Sequence, residues 1–246
     1  MTKSDALESA KQIACNSAIS DWLKDNQIIG LGSGTTIKYA VEYIGNFDRI
    51  SINLKLLYFL ADKVKKENLQ IQCIPTSFQI DVTFDGADEV DEHLHLIKGG
   101  GGCLLQEKIV ASCTKDFIAI VDERQKLGSY WTKGLPIEVV PMAFKPVQTR
   151  IQKLFGGQAI LREAVSKMGP VVTDNGNFLL DWKFDTTKQY YWPDVNVQLS
   201  QIPGIVDTGL FINMTSRIYI GNLNGTVTKL EGKSSNQHTL NNISNF

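Results

Sequence analysis

Two segments hold the residues with which this chain could do chemistry. Asp85-Gly86-Ala87-Asp88-Glu89-Val90-Asp91 sets carboxylates around a Gly-Ala turn, and Lys98-Gly99-Gly100-Gly101-Gly102 joins an amine to four consecutive glycines. Acids at that spacing can accept hydrogen bonds from sugar hydroxyls, hold a hard cation, or form a solvated acidic turn. The glycine run costs conformational entropy, which a close approach of backbone to ligand would explain; a flexible linker is the other reading. Five residues beyond Gly102 stands Glu107, where the first turns of a helix could aim it back at the glycines as a general base. On its own it also fits a surface helix residue paired with a nearby Lys.

A third segment, Gly30-Leu31-Gly32-Ser33-Gly34-Thr35-Thr36, lies between an apolar run and a helical pattern. Glycines let backbone N–H groups converge on an anion, the helix N-terminus favours negative charge, and hydroxyls add donors. The alternative is a tight turn whose hydroxyls only cap the helix. A dinucleotide fingerprint is excluded, because Thr35 stands where the third glycine of G-x-G-x-x-G belongs. No Gly-Lys-Ser/Thr follows, so this is not a P-loop, and a compact phosphate or sugar cradle remains. His93 and His95 alternate with leucines as on a strand, pointing to one side; the apolar partners favour a half-exposed strand over a metal pair.

The elements that must position these residues alternate between helix and strand. Apolar spacing predicts a helix over 6–23 with Ser4 and Asp5 as caps, a strand over 27–32, and a helix over 35–44. Strands follow at 71–74, 80–84 and 117–121, with a helix over 104–113. This order predicts an α/β fold with a Rossmann-like parallel sheet. From residue 137 the texture changes: strands at 139–140, 171–173 and 178–182, a turn at 174–177, and helices over 145–155 and 193–202 with Pro193 at a start position. The expected organisation is a Rossmann-like catalytic domain over 1–136 with 208–232, and a smaller α+β, ferredoxin-like domain over 137–207. The segments 205–212 and 218–220 are expected to return to the first domain. The Ser/Asn-rich stretch 233–246 reads as a disordered tail.

A 246-residue chain with 43% hydrophobic and 21% charged residues has the composition of a soluble globular protein. Its net charge of −1 argues against nucleic acid or an anionic membrane as partner, while leaving room for an anionic metabolite. Cys15, Cys73, Cys103 and Cys113 form no C-x-x-C pair and read as reduced thiols. The polar N-terminus lacks the pattern of a signal peptide, so the expected compartment is the cytoplasm.

Taken in order, GLGSGTT, DGADEVD, KGGGG and the EKIVAS helix resemble the type A ribose-5-phosphate isomerases. PTSFQ, LPIEVVPMA, GPVVTDNGNFLLDWKFD and IPGIVDTGLFINM are similar to the eukaryotic branch, and the likeness spans roughly residues 8–230. The resemblance implies an aldose–ketose isomerase of the non-oxidative pentose phosphate pathway, working through an enediolate without metal or nucleotide cofactor. It implies Glu107 as general base and Asp85 and Asp88 as contacts to sugar hydroxyls that assist ring opening. Lys98 would stabilise the developing oxyanion. Lys11, Ser33, Gly34, Thr35, Thr36, Gly86, Ala87, Gly99, Gly100 and Gly101 would line the substrate site. A homodimer or homotetramer is the implied assembly.

The sequence departs from that family in three places. GNFDRISINLKLLYFL interrupts a helix that the family continues from AVEYI into ADKVKKENLQ, and reads as an extra helix or an exposed apolar segment. Only Thr76 to Gln79 separate the strand expected near Pro75 from the one beginning at Ile80, too few for a parallel crossover. A gene-model or splice variant, or a non-catalytic sugar-phosphate-binding protein, is the alternative that this raises. Gln125 stands where the family carries a substrate-binding Lys, and Lys126 or Arg124 would have to replace it.

Overall fold

The computed structural model describes residues 3–45, 53–54, 79–124, 131–132, 134–166 and 168–231. Within them, one mixed sheet runs from edge to edge as Val227–Glu231 (β13), Arg217–Gly221 (β12), Thr114–Asp122 (β6), Ile80–Asp85 (β3), Ile28–Leu31 (β1) and Asn53–Leu54 (β2). Every pairing is parallel except the β12–β13 hairpin at one edge. Parallel strands must be covered on both faces, and β6 shows how the sequence achieves it. Ile118 and Ile120 face a core shared with the helices Lys3–Trp22 (α1) and Ile37–Gly45 (α2), built around Ala14, Ile19, Ile37 and Val41. Phe117, Ala119 and Val121 point the other way, onto a core with Leu96, Ala111 and Phe211.

That second face is covered by the helix Leu104–Ser112 (α3) and a small three-stranded sheet of Glu89–Val90 (β4), Leu96–Ile97 (β5) and Leu210–Phe211 (β11). The chain then leaves to build a separate antiparallel sheet from Leu135–Val139 (β7), Gln158–Leu161 (β8), Phe178–Lys183 (β9) and Ile205–Thr208 (β10). Two helices, Phe144–Phe155 (α4) and Trp192–Ser200 (α5), pack on it, with Val147, Ile151, Val195 and Leu199 facing Ile137, Leu180 and Trp182. The βαββαβ order and the strand arrangement β10-β7-β9-β8 are those of a ferredoxin-like unit. Its entry and exit meet at Gly209, whose N–H donates to Pro136 O at 2.7 Å and whose carbonyl accepts from the Lys98 N–H at 2.9 Å. No helix among the described residues is long and apolar enough to cross a membrane.

Several local expectations change. Ser4 and Asp5 lie inside α1 rather than capping it, and α2 starts at Ile37 because 33–36 forms the turn before it. The His93–His95 segment is a turn, not a strand. The Asp91 carboxylate accepts the N–H groups of His93 and His95 at 2.9 and 2.7 Å, and Leu94 takes φ +62°. This side-chain capture of backbone donors competes with strand pairing. The expected strand 171–173 shrinks to a single bridge, Val172 to Phe178. Ile205–Thr208 stays in the second sheet, paired with β7, rather than returning to the first; Ile218–Ile220 does return, as part of β12. Within the interrupting segment, Asn53–Leu54 forms an edge strand beside β1. The expected strand 71–74 and tail 233–246, together with Lys126 and Thr76 to Phe78, lie outside the described residues.

Candidate active site

The carboxyl ends of β1 and β3 lie side by side, and ligands in open α/β sheets bind at such ends. Beyond β1 the chain turns through Gly32, where a Cβ would fall 1.8 Å from Asp85 Oδ1, so only glycine lets the turn pass the carboxylate. At the last position of β3, Asp85 is fully buried and accepts the Gly86 N–H at 2.7 Å. Lys98 follows β5, and Glu107 sits on the inward face of α3 with Leu104, Val110 and Ala111.

These pieces assemble around one ammonium group. Lys98 Nζ lies 2.9 Å from Asp85 Oδ2, an ionic contact off the hydrogen-bonding direction, and 3.3 Å from Glu107 Oε2. It also donates to Gly86 O. Glu107 Oε1 accepts from Ser33 Oγ at 2.7 Å. Asp88 Oδ2 accepts the Gly100 N–H at 2.7 Å, so the acidic motif divides its labour between a cation and a backbone amide. A Cβ on Gly100 would fall 2.8 Å from that carboxylate.

Burial and charge tune the cluster. Desolvation pushes Asp85 up to about 7 against the attraction of Lys98, with Glu107 adding repulsion. Burial pulls Lys98 down, but the nearby charges of Asp85 and Glu107 outweigh it and hold the ammonium above its ordinary value. Cys103, at the entrance of α3, is pushed up to about 11 by burial and stays a thiol rather than a nucleophile.

A cavity of about 200 Å³ opens above the ammonium. Ser33, Gly34, Thr35, Thr36, Gly86, Ala87, Asp88, Lys98, Gly99, Gly100, Gly101 and Glu107 line it, and Asp85 lies beneath. Lys11 stands behind this wall: its Nζ reaches Thr35 Oγ1 at 3.4 Å and Glu8 at 2.8 Å without lining the cavity. Arg124, one of the two basic residues considered beside Gln125, pairs with Asp122 at 3.0 Å. A larger cavity of about 380 Å³, among Asp91, His93, Trp131, Tyr190 and Trp192, contains none of the predicted site residues. The sequence reading missed Arg162, which enters from the second sheet and donates to Gly99 O and Gly100 O at 3.0 and 3.1 Å.

The arrangement offers a carboxylate for proton transfer, a buried cation for developing negative charge, and acceptors for hydroxyl groups. Comparison with known proteins bears on the chain as a whole. Residues 60–225 match the family of ribose 5-phosphate isomerase A (phosphoriboisomerase A). Ribose-5-phosphate isomerase of Homo sapiens is 48% identical over 91% of this chain and 74% of its own length. That of Dictyostelium discoideum is 43% identical over 90% and 97%. Among solved structures, a D-ribose-5-phosphate isomerase in complex with phospho-erythronic acid superimposes with a TM-score of 0.85 at 36% identity, covering 94% of this chain and all of that one. Ribose 5-phosphate isomerase from Plasmodium falciparum gives 0.85 at 30% identity, covering 92% of this chain and all of that one. By sequence and fold, this chain belongs to the ribose 5-phosphate isomerase A family.

Proposed function

We propose that this chain interconverts ribose 5-phosphate and ribulose 5-phosphate through an enediolate, with Glu107 as the base. The observation that carries the reading is the pairing of Glu107 with both Ser33 and Lys98 on the wall of one cavity. Glu107 removes the proton from C2, and the electron pair forms the C1–C2 double bond while charge moves onto O1. Lys98 faces that charge. Return of the same proton to C1, with transfer of the O2 hydroxyl proton to O1, gives the ketose. Asp88, on the cavity wall, accepts from sugar hydroxyls and favours the open-chain form; Asp85, expected to do the same, is fully buried beneath the cavity and acts through the Lys98 ammonium instead. Ser33, Thr35 and Thr36 offer hydroxyls at the α2 N-terminus, where a phosphate is favoured. The complex of a similar enzyme with phospho-erythronic acid supports this, because its planar carboxylate has the shape of an enediolate.

The same reading assigns catalysis to the unit over 1–136 with 208–232 and a supporting role to 137–207. Homodimers or homotetramers are the proposed assembly, supported by exposed apolar residues on the smaller unit, among them Met142, Leu154, Val197 and Tyr191. The cytoplasm is the proposed compartment, consistent with the unpaired thiols of Cys15, Cys103 and Cys113. The test is ribulose 5-phosphate formation from ribose 5-phosphate by the purified chain in the presence of a metal chelator, beside Glu107→Gln. Turnover should fall by roughly 10²–10⁴ in the variant, with substrate affinity largely kept. A folded wild type without activity would favour a non-catalytic sugar-phosphate binder; equal turnover in both proteins would remove Glu107 from the role of base.

A further inference from the structure

We propose that Arg162, aligned by Asp181, is a positioning residue that sets the direction of the glycine-loop amides from the second sheet. Arg162 follows β8, and its Nε and Nη2 grip both oxygens of Asp181 on β9, with Nε at 2.8 Å from Oδ2 and Nη2 at 2.5 Å from Oδ1. This fork-to-fork pairing fixes the guanidinium plane. The remaining arm, Nη1, donates to two consecutive carbonyls, Gly99 O and Gly100 O. A trans peptide points its carbonyl and its N–H in opposite directions. Holding Gly99 O therefore turns the Gly100 N–H away from Arg162, and that N–H meets Asp88 at 2.7 Å. Holding Gly100 O turns the Gly101 N–H in the same sense, on the wall of the cavity that Asp88 also lines. No backbone carbonyl among the described residues accepts the Gly101 N–H, and on the cavity wall it is the donor that this role offers to a substrate oxygen. Gly99 and Gly102 take φ of +97° and +90°, and such a loop has no side chains of its own to fix its peptide planes. The clamp supplies that rigidity from outside.

This role rests on the isomerase reading above, and the experiment separates the two. Full-length wild type, Arg162→Ala and Arg162→Lys are compared for kcat and KM with ribose 5-phosphate, and for inhibition by phospho-erythronic acid. Both variants should lose about 10²-fold in kcat, with KM changed by less than about threefold. Phospho-erythronic acid should bind more weakly in step with kcat. Lysine should not rescue, because a single ammonium cannot span Asp181 and two carbonyls. Low-millimolar guanidinium should restore part of the Arg162→Ala turnover. Unchanged kcat, or a loss confined to thermal stability with no guanidinium response, would overturn the proposal. If Arg162→Ala does not fold, Asp181→Asn, which keeps shape and removes the aligning charge, decides by the same comparison: wild-type kcat there overturns the role. Inactive wild type would overturn the isomerase function itself, whereas active wild type with unaffected variants removes only the part given to Arg162.

Discussion

Ser33 and Glu107, 74 residues apart, meet at 2.7 Å across the mouth of the site, hydroxyl on carboxylate. The contact joins the turn after β1 to the inward face of α3. With Lys98 on the other oxygen of Glu107, each carboxylate oxygen has a partner that orients it.

Removing that hydroxyl tests how much orientation matters. A hydrogen bond to a charged group contributes about 1.5–3 kcal/mol. Ser33→Ala should therefore lower kcat by roughly ten- to a hundredfold while the chain stays folded. Steady-state kinetics with ribose 5-phosphate checks this, and a kcat within a factor of about two of wild type would mean that Lys98 alone orients the base.

Lys98 has a structural consequence as well as a chemical one. Lys98→Met would leave Asp85 and Glu107 buried beside each other without a cation. Breaking a buried ion pair from one side costs about 3–5 kcal/mol. Adding Asp85→Asn to Lys98→Met should recover a substantial part of the loss without restoring turnover. Urea unfolding of the two proteins measures the difference; equal stability would show that the two groups are not coupled.

Asp85 also sets a pH dependence of stability. Its folded value of about 7 stands above the ordinary 3.8, so the folded chain binds more protons than the unfolded chain between those limits. Stability from this group is complete below about pH 4 and is lost as pH rises through about 7. Wild type should lose more stability than Asp85→Asn between pH 5 and pH 8 in parallel urea titrations. An equal loss in both would place the proton elsewhere in the cluster.

Gly32→Ala drives a methyl group into Asp85. The overpacked turn should destabilise the chain by about 1–3 kcal/mol and displace Ser33, so turnover should fall further than stability explains. Thermal unfolding and kcat measured on one preparation would show whether the two losses separate.

The sequence marked Asp85, Asp88, Lys98 and the 33–36 turn as candidates because acids and small residues follow expected strand ends, but left capping turn, solvated turn and linker open; the fold brings them to one place. Position alone left Glu107 open between a base facing the glycines and a surface helix residue, and the family likeness decided between them. The inward face of α3 is Leu104, Glu107, Val110 and Ala111, so a carboxylate sits in a row of otherwise apolar positions while Ile109 is 44% exposed. The His93–His95 turn was hidden because Asp91 captures donors that the alternating pattern assigns to a ladder. Thr173 was hidden for a related reason: Glu138, buried in β7, accepts from Thr173, Asn175 and Asn177 and holds that segment as a turn. Arg162 left no mark at all, since its partners on the glycine loop are carbonyl groups that every residue possesses.

The seam between the second sheet and the first closes on a single glycine. Gly209 is stitched to Pro136 where the second sheet begins and to the backbone of Lys98 beside it, and a Cβ there would fall 2.2 Å from the Lys98 carbonyl. The backbone that carries the buried ammonium is therefore anchored where the second sheet joins the first. A side chain at position 209 would part that seam, so one missing Cβ keeps the ammonium's backbone in register with the second sheet.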